Sequence, residues 1–169
     1  MAGQQQDYLL RQIELLGLFV ARLRRRNGPP TAKDEADLNE ALLLAMHLQE
    51  KNFGKPAAEF LLLSADDQVA ALKSGASKSA GHERCLTYAT ILKDTAALYD
   101  FRHSEDLALG ARHLALHVAL SVALDQPGDP MFVRTLVGDL RRALGDAPLH
   151  APTRELLARF EQLTAQNRP

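Results

Sequence analysis

Leucine and alanine dominate this chain. Thirty-one leucines and twenty-six alanines fill about a third of its 169 residues, whereas valine and isoleucine together contribute eight. Leucine and alanine form helices readily, while the β-branched residues that favour strands are scarce here. That imbalance selects an all-α fold and excludes a large sheet. At 169 residues the expectation is one domain with an appended extension. Such a chain buries about 70% of its unfolded surface without help from disulfides or metals.

Charge and cysteine usage narrow the function classes. Twenty Lys and Arg nearly cancel twenty-one Asp and Glu, leaving a formal net charge of −1. A chain so balanced has no global field to gather nucleic acid or anionic lipid, and neither is an expected partner. The lone Cys85 forms no internal disulfide and suits a reducing, cytoplasmic setting. The opening residues Met1 to Asp7 lack the basic start and apolar run of a signal peptide. The strongly apolar stretch from His113 to Leu124 is free of Asp, Glu, Lys and Arg. It is shorter than the roughly 20 residues that a spanning helix requires, so no membrane partner is expected.

Periodicity and capping signals divide the chain into helices. From Asp7 to about Arg26, residues Leu9, Ile13, Leu16, Val20 and Leu23 share one narrow sector of a helix. Asn27-Gly28-Pro29-Pro30 ends it. Thr31 followed by Asp34 reads as a variant capping box for a second helix reaching about Glu50. A short helix over Ala57–Leu63 comes next, and Ser64 with Asp67 caps another that ends near Lys73. Small residues from Ser74 to Gly81 read as a flexible linker. Two long helices follow, over His82–Phe101 and Ser104–Leu124. After the Pro127-Gly128-Asp129-Pro130 break, two more span Pro130–Leu144 and Pro152–Ala165. The expected architecture is thus about seven or eight helices. A domain of helical hairpins over 5–126 carries a C-terminal helical extension, 130–166, packed on it. Two long hairpins in one chain favour a stacked repeat over a symmetric four-helix bundle.

The second long hairpin resembles the back half of a tetratricopeptide (TPR) repeat. Ala96 and Tyr99 stand at the places of its small residue and first aromatic, and Ala108 and Ala115 at those of its two packing alanines. Arg112 replaces the aromatic between those alanines, and both helices are longer than the repeat's. Together with Gln6-Asp7-Tyr8-Leu9-Leu10-Arg11-Gln12-Ile13-Glu14, the leucine-rich second helix and Leu61-Leu62-Leu63-Ser64-Ala65-Asp66-Asp67, this hairpin resembles a family of bacterial TPR-like proteins of unknown function. The resemblance covers about residues 6–125. It implies a right-handed stack of helical hairpins and carries no catalytic residues.

Three constellations could bear chemistry. On the helix over Ser104–Leu124, Leu107, Ala111, Leu114, Val118 and Val122 face one way and Leu109, Leu116 and Leu120 the other. A helix apolar on two sides lies between neighbours. Between those faces runs a polar stripe of Asp106, Gly110, His113 and His117, with His103 close in angle. Imidazoles one turn apart can chelate a transition metal, so His113, His117 and Asp106 are the metal candidates. No Glu follows His113 as a zincin helix requires, and partly buried, hydrogen-bonded histidines are the favoured interpretation. Burial and mutual repulsion would depress the pKa of both.

The other two are weaker. His82-x-x-Cys85 is a possible half-site, but Cys85 shares its face with Tyr88, Leu92, Ala96 and Tyr99, which marks it as core. Arg22, Arg24, Arg25 and Arg26 could contact an anion or partner, although they also suit the negative end of a helix dipole and precede Asp34, Glu35 and Asp37. The Gly75–Gly81 loop has the wrong spacing for a phosphate loop. With no catalytic set and no cofactor motif, the chain is expected to be a non-enzymatic helical scaffold that binds a protein or peptide, and a homo-oligomer is compatible with that role. The alternative is a small-ligand or metal-binding helical protein that uses the His113/His117 stripe.

Overall fold

The computed structural model describes residues 2–125 and 131–167. The Pro127–Pro130 break lies outside them. Among the described residues the chain is all-helical, a stack of eight helices without a strand. They are α1 (Ala2–Arg24), α2 (Ala32–Phe53), α3 (Ala57–Phe60), α4 (Ala65–Lys73), α5 (Lys78–Phe101), α6 (Glu105–Asp125), α7 (Met131–Leu144) and α8 (Ala151–Gln166).

Local chemistry sets most of the boundaries. Thr31 Oγ1 accepts from the Asp34 amide at 3.3 Å, and Asp34 Oδ2 accepts from the Thr31 amide at 2.7 Å. That reciprocal pair closes the capping box expected for α2. At its other end Gly54 adopts φ 67°, a left-handed cap that costs glycine little. Ser64 caps α4 through its Oγ, which accepts from the Asp67 amide at 3.1 Å.

The supposed linker is a correction. Ser77 Oγ accepts from the Ala80 amide at 3.2 Å, and α5 starts at Lys78 rather than His82. Gly81 lies inside its first turns because a Cβ there would meet the Lys73 backbone at 3.2 Å. Of the two glycines in this stretch only Gly81 is in close contact with a neighbouring helix; Ser74–Ser77 form the short turn that connects α4 to α5, with Gly75 at φ 68°.

Helix α5 is the wall shared by both halves of the interior. On one side Ile91, Ala97 and Leu98 pack with Leu16 and Val20 of α1 and Leu38, Ala45 and Leu48 of α2. On the other, Cys85, Tyr88 and Ala89 pack with Leu72 of α4, Leu116 and Leu120 of α6, Leu136 and Leu140 of α7 and Leu157 of α8. Helices α7 and α8 therefore share one core with α4, α5 and α6. The close α5–α6 pairing rests on small residues, since Ala96, Ala108 and Ala115 are buried. Three aromatic rings tie α2, α3 and α5 together. Phe53 stacks on Phe60 at 4.2 Å, and Tyr88 stands edge-on to Phe53 at 4.8 Å. The Tyr88 hydroxyl donates to Gln68 Oε1 at 2.6 Å, satisfying both buried groups.

Helix α6 is apolar on both sides only from about His113 onward; Leu107 and Leu109 near its start are exposed. By length and composition it could cross a membrane, yet 61% of the apolar window is buried inside the protein, as a core helix would be.

Candidate functional site

The histidine stripe of α6 lies at a junction of three helices. His113 and His117 are both buried, but each faces a different neighbour. His117 spans two elements. Its Nε2 lies 2.8 Å from Asp66 Oδ1 at the start of α4, and its Nδ1 lies 3.0 Å from Thr153 Oγ1 in the first turn of α8. His113 instead packs against His150, the residue that precedes α8, with ring centroids 5.3 Å apart. Its Nδ1 is buried without a hydrogen-bond partner. Burial, and after it the positive charge that His150 can carry, holds the His113 pKa below the ordinary imidazole value. The expected depression is therefore found at His113, with His150 rather than His117 as its facing histidine.

Asp106 does not join this junction. It is exposed near the start of α6, about 10 Å along the axis from His113. The carboxylate that does arrive is Asp66, from another helix. His103 is likewise exposed. Among the described residues no three His, Cys, Asp or Glu side chains are grouped to hold a metal ion. What the junction does is fasten α8 and α4 onto α6 through polar groups.

His82 and Cys85 lie one turn apart on α5, both buried. His82 Nε2 is 3.4 Å from Asp125 Oδ2, which also pairs with Lys73. The Lys73 hydrogen bond is the largest influence holding Asp125 below the usual carboxylate range. Burial pushes the Cys85 thiol up to about 11, so the thiolate that a nucleophile requires is disfavoured.

The arginines at the end of α1 turn mostly to carboxylates. Arg22 pairs with Asp37 at 3.3 Å, and Arg26 pairs with Asp34. Burial raises the Asp94 pKa, and the nearby Lys93 and Arg24 oppose that rise. Arg25 is exposed. The structure thus distributes these charges among the acids of α2 and α5 instead of gathering them around one anion.

Sequence reasoning missed a groove. It opens between the first turns of α1, the end of α2 and the start of α5, with a cavity volume of about 840 Å³. Tyr8, Leu9, Leu10 and Phe53 supply apolar surface, while Lys51, Asn52 and Arg84 add polar groups. The Lys51 ammonium sits 4.5 Å from the centre of the Tyr8 ring, and Asn52 Nδ2 donates to the Arg84 carbonyl at 2.9 Å. These two contacts join α1 to α2 and α2 to α5 across the groove. The available signal was Tyr8, which lies off the buried stripe of α1.

Comparison with protein-family models, with curated proteins and with solved structures finds no match to this chain.

Proposed function

We propose that this protein is a non-enzymatic, TPR-like helical scaffold that binds a protein or peptide segment in the groove between α1, α2 and α5. The observation that carries the reading is the groove itself. It is open, about 840 Å³ in volume, apolar along Tyr8, Leu9 and Phe53 and polar at Lys51 and Arg84. Peptide-binding surfaces combine apolar contact with a few orienting polar groups in this way. The exposed Tyr8 ring is the type of anchor on which such interfaces rely. The buried, poorly acidic Cys85 thiol argues against nucleophilic catalysis by cysteine.

The test is affinity capture from a lysate of the source organism, using wild type, a Tyr8→Glu/Arg84→Glu variant and a distant Arg142→Glu control. A partner is expected on wild type and on the control, and its loss on the groove variant. Equal capture by all three would remove the groove as the interface.

A further inference from the structure

A second cavity, about 440 Å³ in volume, lies at the opposite end of the α1–α2 hairpin, between the turn that joins α1 to α2 and the turn that joins α5 to α6. We propose that it is a binding site for a small zwitterion with an apolar body, the chemistry of a free amino acid with a large apolar side chain. The inference is independent of the scaffold reading, which concerns the other end of the hairpin.

The volume falls in the range of small-molecule pockets, about 300–1,000 Å³. Leu23, Leu38 and Phe101 give it apolar walls. One polar wall is already neutralised. The Asp34 carboxylate accepts from the Thr31 amide and hydroxyl at 2.7 Å each and pairs with Arg26. That capping assembly shapes the cavity and leaves little charge for a ligand.

Two unit charges remain. Glu35 on α2 and Arg102 at the end of α5 both line the cavity. Neither side chain has a hydrogen bond or ion pair among the described residues. A simple anion would meet the Glu35 carboxylate, and a simple cation would meet the Arg102 guanidinium. A zwitterion gives each charge a partner while its apolar part covers the leucines and Phe101.

His103 adds a third observation. It is the one non-glycine residue with positive φ, 59°, among the described residues. The Ser104 amide donates to the Tyr99 carbonyl at 2.9 Å, and the His103 amide to the Asp100 carbonyl at 3.0 Å. These two bonds define a helix ending in which glycine normally takes the place of His103. Glycine would close this turn with less strain, yet an imidazole stands there and lines the cavity. A side chain that stands against the local backbone preference at the cavity wall is placed to contact what the cavity would hold.

The experiment titrates the full chain with L-phenylalanine, 3-phenylpropionate, phenethylamine and glycine, read by calorimetry and ligand-observed NMR. Phenylalanine is expected to bind. The probes lacking its ammonium, its carboxylate or its ring are each expected to bind about tenfold more weakly, or worse. Glu35→Gln and Arg102→Met should each weaken phenylalanine by a similar factor. His103→Gly should raise the melting midpoint and weaken binding together, a pairing that a merely structural residue would not produce. Absence of binding by all four probes overturns the proposal. Phenylpropionate or phenethylamine binding as tightly as phenylalanine overturns the zwitterion assignment. Unchanged phenylalanine binding in Glu35→Gln and Arg102→Met removes the site from this cavity.

Discussion

The two sides of α5 are built differently. Toward α4, α6, α7 and α8 the interior is deep: Leu116, Val118, Ala119 and Leu120 of α6 are fully buried in succession, covered from every side. Toward α1 and α2 it is thin. Helix α1 contributes Leu16 and Val20 to the buried interior but leaves Tyr8, Leu10, Leu15 and Leu18 exposed. Both cavities border this thin layer, one at each end of the α1–α2 hairpin. The difference teaches that the C-terminal side carries the stability and the N-terminal side the accessible surface. Lightly packed elements open at lower free energy, and binding sites are commonly drawn from them.

The strongest way to break that comparison is a matched pair of truncations. Leu116 and Leu16 are both buried, on the deep and thin sides respectively. Leu→Ala in a core costs about 2–5 kcal/mol, more where the surroundings cannot collapse. Leu116→Ala should fall near the top of that range and Leu16→Ala near the bottom, measured by urea unfolding. A larger loss for Leu16→Ala would refute the asymmetry. Next in size is overpacking. Ala115→Leu on the α5–α6 seam should cost about 1–3 kcal/mol, and a variant as stable as wild type would show the seam to be loose.

The smallest expected effect concerns His113. Its folded pKa lies below the unfolded value, so the unfolded chain binds more protons in that range. Stability is then fully present above about pH 6.5 and is lost as pH falls through the folded value. His113→Gln should flatten this part of the pH dependence in urea midpoints taken from pH 8 down to 5. An unaltered slope would show that His113 does not contribute to it. Zinc should leave the wild-type melting temperature unchanged; a rise abolished by His113→Gln would make the junction a metal site.

Much of the fold was legible because caps and periodicity are local. Thr31 with Asp34 and Ser64 with Asp67 announced two helix starts, and both hydroxyls cap as expected. The connection between α4 and α5 was read too long: Ser74–Ser77 do join the two helices, but the Ser77 cap starts α5 at Lys78, and the approach of Gly81 to Lys73 is a tertiary contact that no local pattern shows. The site was half legible. Helical spacing put His113 and His117 on one stripe, but it could not supply Asp66, Thr153 or His150, which come from segments distant in sequence. Asp106 was drawn in by angle alone, and axial distance left it in solvent. The cavity by His103 was invisible because no sequence pattern announces a left-handed histidine.

The single cysteine has a practical use of its own. Cys85 is fully buried against both α4 and α6, with its thiol pushed up to about 11. Alkylating reagents attack the thiolate, so the folded chain should be nearly silent toward them. Reaction would require α5 to part from its deeper neighbours, and the alkylation rate becomes a clock for that opening. A cysteine placed on α1 would react freely against this quiet background, giving a selective attachment point for a fluorophore beside either cavity.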